Sequence, residues 1–359
     1  DDNVQSLIED RGYQVIILHT DYKSMDDELS SWPSTTPELI IVDSYFVTVD
    51  YLAQLQEKVR KVGGTLVYLD DVLSFPYPVD ILVNYNAYAS ADAYEKLYRG
   101  LDGLGVDLEV EKPKMVLGPT YSPLRSMFRG VSKRTQSEQV HNILISTGGS
   151  DELHLSLSIL RYILENIGSG EQRRSGEQGR DENVRTDRAY HFLLGAMNAD
   201  KEEIKKVASD VDNVIIHENV QNMRNMIVGM DIVISAAGST LYEIAACGVP
   251  LITYSLADNQ IPGGEAFSNL GLGVYIGDLR DPETVDHNSV MSGELDSNAV
   301  ERITRAAEDL AKDYEKRVVM GQQMQRLIDG LGADRMVSEI VCEAGLHSRR
   351  TGEVKGFGS

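Results

Sequence analysis

Asp231–Glu243 reads DIVISAAGSTLYE. An apolar, β-branched run (Asp231–Ser235) meets a bend of small residues, Ala237-Gly238-Ser239, and a helix is expected from Ser239 onward. The same device stands upstream in Asn142–Asp151, NILISTGGSD: a strand at 142–146, then Thr147-Gly148-Gly149-Ser150. The helix expected there, Asp151–Ile167, carries Leu153, Leu157, Leu160, Leu164 and Ile167 at helical spacing. A strand that ends in a glycine-bearing turn and opens a helix is the repeating unit of a parallel sheet covered on both faces. Further strands are expected at Tyr190–Leu194, Asn213–Ile216, Pro250–Tyr254 and Val274–Ile276, and two or three helices between about Ser297 and Ala344. Residues 168–188, GSGEQRRSGEQGRDENVRTDR, are charged and of low complexity, which predicts a disordered surface insertion.

The first third repeats the alternation. Val4, Leu7 and Ile8 share one helical face closed by Gly12, and short strands are expected at Tyr13–His19, Leu39–Asp43, Thr65–Asp70, Ile81–Asn84 and Met115–Leu117. An amphipathic helix, about Asp50 to Val62, ends at Gly63-Gly64. From Tyr121 to Val140 the pattern gives way to polar residues with Arg129, Lys133 and Arg134. The expected organisation is a first Rossmann-like domain at 1–125, a linker at 126–140, a second domain at 141–346 and a flexible tail at 347–359. The expected fold class is α/β, with two Rossmann-like domains facing a central cleft, an architecture that resembles GT-B.

Composition narrows the function classes. The chain has 359 residues, 42% of them hydrophobic, and a formal net charge of −22. One core stops growing at roughly 250–300 residues, so two domains are expected. So acidic a surface repels phosphate backbones, which argues against a nucleic-acid partner and requires any anionic ligand to be held locally. Cys247 and Cys342 form no ligand or redox pattern and read as buried, reduced thiols of a cytoplasmic protein. No apolar run approaches the roughly 18 residues of a membrane span. The seven histidines show no metal spacing; His217-Glu218 follows a strand without a third ligand, and His154 lies on a helix. No cofactor and no metal are expected, and Walker A, G-x-S-x-G and HExxH motifs are absent.

Candidate chemistry sits where expected strands end. In Gly148-Gly149-Ser150 and Gly238-Ser239-Thr240, glycines let a phosphate approach the backbone, and free N–H groups at a helix start attract anions. Each stretch also fits a tight turn, with Ser150 or Asp151 as N-cap in one and a Ser239/Thr240–Glu243 capping box in the other, but two such turns at adjacent strand ends favour the diphosphate. Glu243, one turn into its helix, is placed to accept hydrogen bonds from ribose hydroxyls. Leu256-Ala257-Asp258-Asn259-Gln260 offers short polar side chains that suit a sugar or a turn. Asp43-Ser44-Tyr45 and Asp70-Asp71 end two strands of the first domain.

Several of these segments resemble the UDP-sugar hydrolases of pseudaminic acid biosynthesis, which act on UDP-2,4-diacetamido-2,4,6-trideoxy-β-L-altropyranose and are related to the peptidoglycan N-acetylglucosaminyltransferase. The segments are LIIVDSY (39–45), LDD (69–71), ILVNYNAYA (81–89), LGPTYSPLR (117–125), STGGSD (146–151), ENVQNM (218–223), ISAAGSTLYE (234–243) and ADNQ (257–260), in family order. The resemblance implies that 148–150 and 238–240 hold the UDP diphosphate, that Glu243 holds the ribose, and that the backbone at Asn219-Val220 meets uracil. It implies that Tyr45, Asn259 and Gln260 line the sugar site. Family members open with a strand, a GxGHxxR loop and a helix, and the loop histidine is their expected base. That motif is absent here, so Asp70, Asp71 and Tyr45, with Asn259, remain as catalytic candidates, and the sequence reads as lacking about one βαβ unit. The implied activity is hydrolysis of a UDP-sugar with release of UDP by a monomer. A UDP-sugar-dependent glycosyltransferase and a non-catalytic UDP-sugar-binding remnant are the alternatives.

Overall fold

The computed structural model describes residues 2–18, 20, 21, 23, 36–99, 111–167, 187–285 and 293–346. These fold as two compact units. The first takes the residues up to Asn84, then Ala89–Leu117 and those from Met336 onward. The second takes Tyr85–Tyr88 and Gly118–Arg335.

In the first unit, β1 (Leu39–Val42), β2 (Thr65–Leu69), β3 (Ile81–Asn84) and β4 (Lys114–Leu117) form a parallel sheet in that order. Three helices belong with them: α1 (Asp2–Glu9), α2 (Val49–Lys61) and α3 (Ala91–Arg99). Helix α2 starts where the Thr48 hydroxyl accepts the Tyr51 N–H at 3.1 Å. Its buried Leu52, Leu55 and Val59 join Leu66, Tyr68 and Leu82 of the strands in one core. Tyr13–Leu18, read above as a strand with His19, is irregular backbone; His19 lies outside the described residues. A strand exists only where its ladder finds a partner, and the sheet begins at β1 instead, leaving Tyr13, Ile16, Ile17 and the β1 residue Ile41 exposed.

The second unit holds β5 (Asn142–Ser146), β6 (Ala189–Leu194), β7 (Val214–Glu218), β8 (Ile232–Ala236), β9 (Leu251–Ser255) and β10 (Val274–Asp278). All are parallel, in the order β10-β9-β8-β5-β6-β7. Strands β8 and β9 are buried along their whole length, as a sheet covered on both faces requires. The helices are α4 (Leu155–Ile167), α5 (Lys201–Ala208), α6 (Met223–Val228), α7 (Thr240–Cys247), α8 (Ile261–Asn269), α9 (Ala299–Lys312), α10 (Tyr314–Leu327) and α11 (Gly332–Glu343). The chain returns to the first unit within α11, where Lys114 pairs with Glu339 at 2.7 Å.

Residues 126–140, expected as a linker, are bound into the second unit. The Arg134 guanidinium donates to the carbonyls of Val228 and Met230, Gln136 donates to Gly248 O, and the buried Arg317 of α10 donates to the carbonyls of Ser137 and Glu138. Polar composition here signals side chains that tie down backbone carbonyls rather than a free connection. Of the expected insertion 168–188, residues 168–186 lie outside the described residues, as does the tail 347–359. Arg188, the last residue of that expected insertion, is instead buried and pairs with Glu308 at 2.7 Å. Cys247 is buried as expected, whereas Cys342 on α11 is exposed.

Candidate functional site

The strand order of the second unit reverses between β5 and β8: the chain runs from β5 outward to β6 and β7, then returns to lay β8 on the other side of β5. Ligands of open α/β sheets bind beyond the carboxyl ends of the strands at such a reversal. Ser146 and Ser235 are register partners there, and the two glycine-serine turns follow them directly. Gly148, Gly149, Gly238 and Ser239 are exposed, and a Cβ built on Gly148 or Gly238 would meet nothing within 4 Å.

The two turns differ in what they offer. Helix α4 begins at Leu155, not at Asp151 as expected, because residues 151–154 form a separate loop with Asp151 and His154 in the left-handed region (φ 53° and 54°). The buried Asp151 carboxylate accepts the N–H groups of Leu155 at 3.0 Å and Ser156 at 2.9 Å, and the Asn198 amide at 3.2 Å. Asp151 thus lies four residues before the helix rather than at its N-cap position, yet its carboxylate takes the first N–H groups of α4. What remains at this turn is its own backbone, since the Ser150 hydroxyl donates to Glu152 Oε1 at 3.4 Å. Gly149 O accepts the Met197 N–H at 3.1 Å, so the loop after β6 braces the turn.

At α7 the cap reading fails. Ser239 makes no side-chain cap, and among the described residues the N–H groups of Ser239 and Thr240 have no acceptor. Glu243 does not bond backward either. Its carboxylate takes Arg125 Nε at 2.8 Å and Nη2 at 2.9 Å, a bidentate pair. Glu243 is mostly buried and burial pushes its carboxyl up, against the Arg125 charge, which lowers it. Tyr242, the residue before, donates to Asn86 Oδ1 at 3.2 Å and accepts the Ala87 N–H at 3.0 Å, anchoring Tyr85–Tyr88 in this unit.

The remaining candidates of this unit also follow strands. Asn219 follows β7 with φ 49° and is exposed, while Val220 packs on the core. After β9, Asn259 is exposed, Gln260 accepts the Leu256 N–H at 2.9 Å through Oε1, and Asp258 pairs with the buried Arg280 at 2.5 Å.

In the first unit, Asp43 directly follows β1 and Asp70-Asp71 directly follows β2. Asp70 is buried and its oxygens are fully engaged. It accepts Tyr77 Oη at 2.8 Å, Tyr94 Oη at 2.5 Å, Val72 N–H at 2.9 Å and Leu73 N–H at 3.2 Å. Burial holds the Tyr77 and Tyr94 hydroxyls far above their ordinary range, so both remain donors. Asp71 differs. Burial pushes its carboxyl up, the Tyr45 hydroxyl at 2.6 Å opposes this, and the charges of Asp70 and Asp43 add to the rise. Tyr45 itself is 69% exposed.

No family model matches the chain. It is 25% identical over 264 residues to an uncharacterized protein of Methanocaldococcus jannaschii, covering 70% of this chain and 46% of that protein. It is 31% identical over 156 residues to the UDP-2,4-diacetamido-2,4,6-trideoxy-beta-L-altropyranose hydrolase of Campylobacter jejuni, covering 43% and 50%. To the Bacillus subtilis spore coat polysaccharide biosynthesis protein SpsG it is 23% identical over 224 residues, covering 62% and 56%. The chain spans about half the length of the curated relatives it matches. Among solved structures it is similar to Acinetobacter baumannii MurG, with a TM-score of 0.52 and 11% identity over 94% of this chain and 87% of that one. A putative UDP-N-acetylglucosamine 2-epimerase of Listeria monocytogenes gives 0.52 and 15%, over 87% and 75%. The fold is of the GT-B class. Within it, the reversal between β5 and β8 is the feature that places the two glycine-serine turns side by side.

Sequence reasoning misses three residues of this GT-B unit. Arg125 stands in LGPTYSPLR with no role that spacing reveals; its partner Glu243 lies 118 positions on. Gly195 follows β6, and a Cβ there would lie 2.2 Å from Gly149 O. Asn198 donates to Asp151. Only the glycine carries a local signal, a small residue directly after an apolar strand.

Proposed function

We propose that the chain processes a UDP-sugar and, more specifically, hydrolyses the anomeric C–O bond of a UDP-linked 2,4-diacetamido-2,4,6-trideoxyhexose with release of UDP. The observation that carries this reading is the pair of open glycine-serine turns at the strand-order reversal, with the N–H groups of Ser239 and Thr240 at the start of α7 unpaired among the described residues. Such N–H groups attract the charge of a diphosphate and stabilise it further as it departs. In this reading Gly148, Gly149, Ser150, Gly238, Ser239 and Thr240 hold the diphosphate. Glu243 accepts ribose hydroxyls and the backbone at Asn219-Val220 meets uracil. Tyr45, Asn259 and Gln260 contact the sugar.

The reaction needs a group that takes a proton from water as its oxygen attacks C1, while the C1–O electron pair leaves with the diphosphate. Asp71 is the candidate. Its carboxyl is raised by burial and neighbouring charge, as suits a base, and Tyr45 orients it. Asp70, saturated by its own fold, acts by positioning the strand end. Similarity to the Campylobacter jejuni hydrolase supports the sugar assignment.

Titration calorimetry tests the nucleotide site. UDP should bind more tightly than UMP, and Glu243→Ala should weaken UDP by about 1–3 kcal/mol. Equal affinities for UDP and UMP would remove the diphosphate assignment.

A further inference from the structure

Glu243 is the one acid of the α7 start, and only 14% of its side chain is exposed. A buried carboxylate survives as an ion only beside a compensating charge. Arg125 supplies it from the loop before the short 3-10 turn Ser126–Phe128, with both Nε and Nη2 on the two carboxylate oxygens. The guanidinium is half exposed (51%) and lies 5.6 Å above the Phe128 ring, so it is aimed by packing but not enclosed. The other charged or titratable neighbours do not replace it. Arg224 of α6, packed against α7, spends a donor on Met127 O; Arg134 is committed to the carbonyls of Val228 and Met230; Cys247 on α7 itself is a buried thiol pushed up to about 12, chiefly by burial. From α10, the neutral Gln325 reaches α7 by donating to Ala246 O.

The geometry points to Arg125 as the positioning residue of ribose recognition: its fork fixes the Glu243 carboxylate in one orientation and keeps it ionised, leaving one lone pair on each oxygen for the ribose hydroxyls. This rests on the reading of Glu243 as the ribose acceptor. A protonated Glu243 would offer a ribose hydroxyl a weaker acceptor, so the charge state of this one group sets how strongly the site distinguishes a ribonucleotide from its deoxy form. Arg125 acts through Glu243, and its loss should be felt only where Glu243 can take up a proton.

The test is the ratio of UDP affinity to that of 2′-deoxy- and 3′-deoxy-UDP from pH 8 to pH 5.5, in which titration of the diphosphate cancels. The full chain should prefer UDP over at least one deoxy analogue by roughly tenfold at every pH, the worth of one hydrogen bond to a charged acceptor. Arg125→Ala should keep that preference near pH 8 and lose it on acidification. Arg125→Gln, which can donate but carries no charge, should do the same, and Arg125→Lys should restore the flat profile. If the unaltered chain shows no preference, or Glu243→Gln leaves it intact, the ribose reading fails. If the preference depends on Glu243 but Arg125→Ala and Arg125→Gln both follow the unaltered chain at every pH, the role given to Arg125 is overturned.

Discussion

Gly195 leaves no space for a side chain: a Cβ would sit 2.2 Å from Gly149 O and 2.4 Å from Gly148 O. Its φ is not in the left-handed region, so the demand is for close approach alone. Gly195→Ala should push the 148–150 turn outward, lowering both the melting temperature and UDP affinity, which thermal unfolding and calorimetry read separately. Retained UDP affinity in a folded variant would mean that the turn does not hold the diphosphate. The adjacent carboxylates of the first unit make a second contrast. Asp70→Asn would place an amide N–H₂ where Tyr or backbone donors now point, costing about 1–3 kcal/mol of stability. Asp71→Asn alters a contact with an exposed tyrosine, so stability should hold within about 0.5 kcal/mol while turnover of UDP-sugar drops. Equal loss of stability in the two variants would make both residues structural. Side chains at strand ends were legible in the sequence because apolar runs stop there. What each carboxylate does was not, since it depends on Tyr77 and Tyr94 for Asp70 and on Tyr45 for Asp71, contacts that no local spacing encodes.

Among the elements, β6 and β7 carry a pair of histidines whose rings stack with centroids 5.2 Å apart. His191 Nδ1 and His217 Nε2 are 2.9 Å apart, and His191 Nε2 meets Asn142 Oδ1 at 3.1 Å. With Nε2–H donating to the amide oxygen, His191 Nδ1 is left as the acceptor for His217 Nε2–H, an arrangement that requires His191 to be neutral. Burial lowers both histidines, and for His191 the neighbouring His217 adds to it. In the unfolded chain they bind protons near pH 6.5, above the folded values. Their stability contribution is therefore complete above about pH 6.5 and is lost as pH falls through the lowered folded values. His154 has the opposite sign: Asp200 raises it, so its contribution is present below about pH 6.5 and fades as pH rises through the folded value. Replacing His191 and His217 together by Gln should flatten the acid side of a plot of melting temperature against pH; an unchanged acid limb would assign that limb elsewhere. Periodicity predicted the strand and helix series of this unit. It misplaced the start of α4 because Asp151 and His154 adopt left-handed backbone, and it read Tyr13–Leu18 as a strand because composition cannot report whether a ladder partner exists.

At the scale of the whole molecule, alternation of strands and helices was enough to expect two parallel-sheet units, and both are present. Their boundaries were not legible, because the chain passes between units four times, at 84/85, 88/89, 117/118 and 335/336. Tyr85–Tyr88 belongs with α7 through Tyr242, although β3 and α3 on either side belong to the first unit. Strand β4 pairs with β3 over four register partners. A protease site engineered at Glu111 would part β3 and Tyr85–Tyr88 from β4 and nearly all of the second unit. The two fragments should nonetheless co-elute in native gel filtration and separate only in denaturant. Separation without denaturant would show that backbone continuity, not packing, joins them. The same threading sets a rule for recombination. A chimaera of two such proteins with a single crossover after Leu117 would set one parent's Tyr85–Tyr88 against the other parent's Tyr242, so the tetrapeptide has to be inherited together with the unit that it serves.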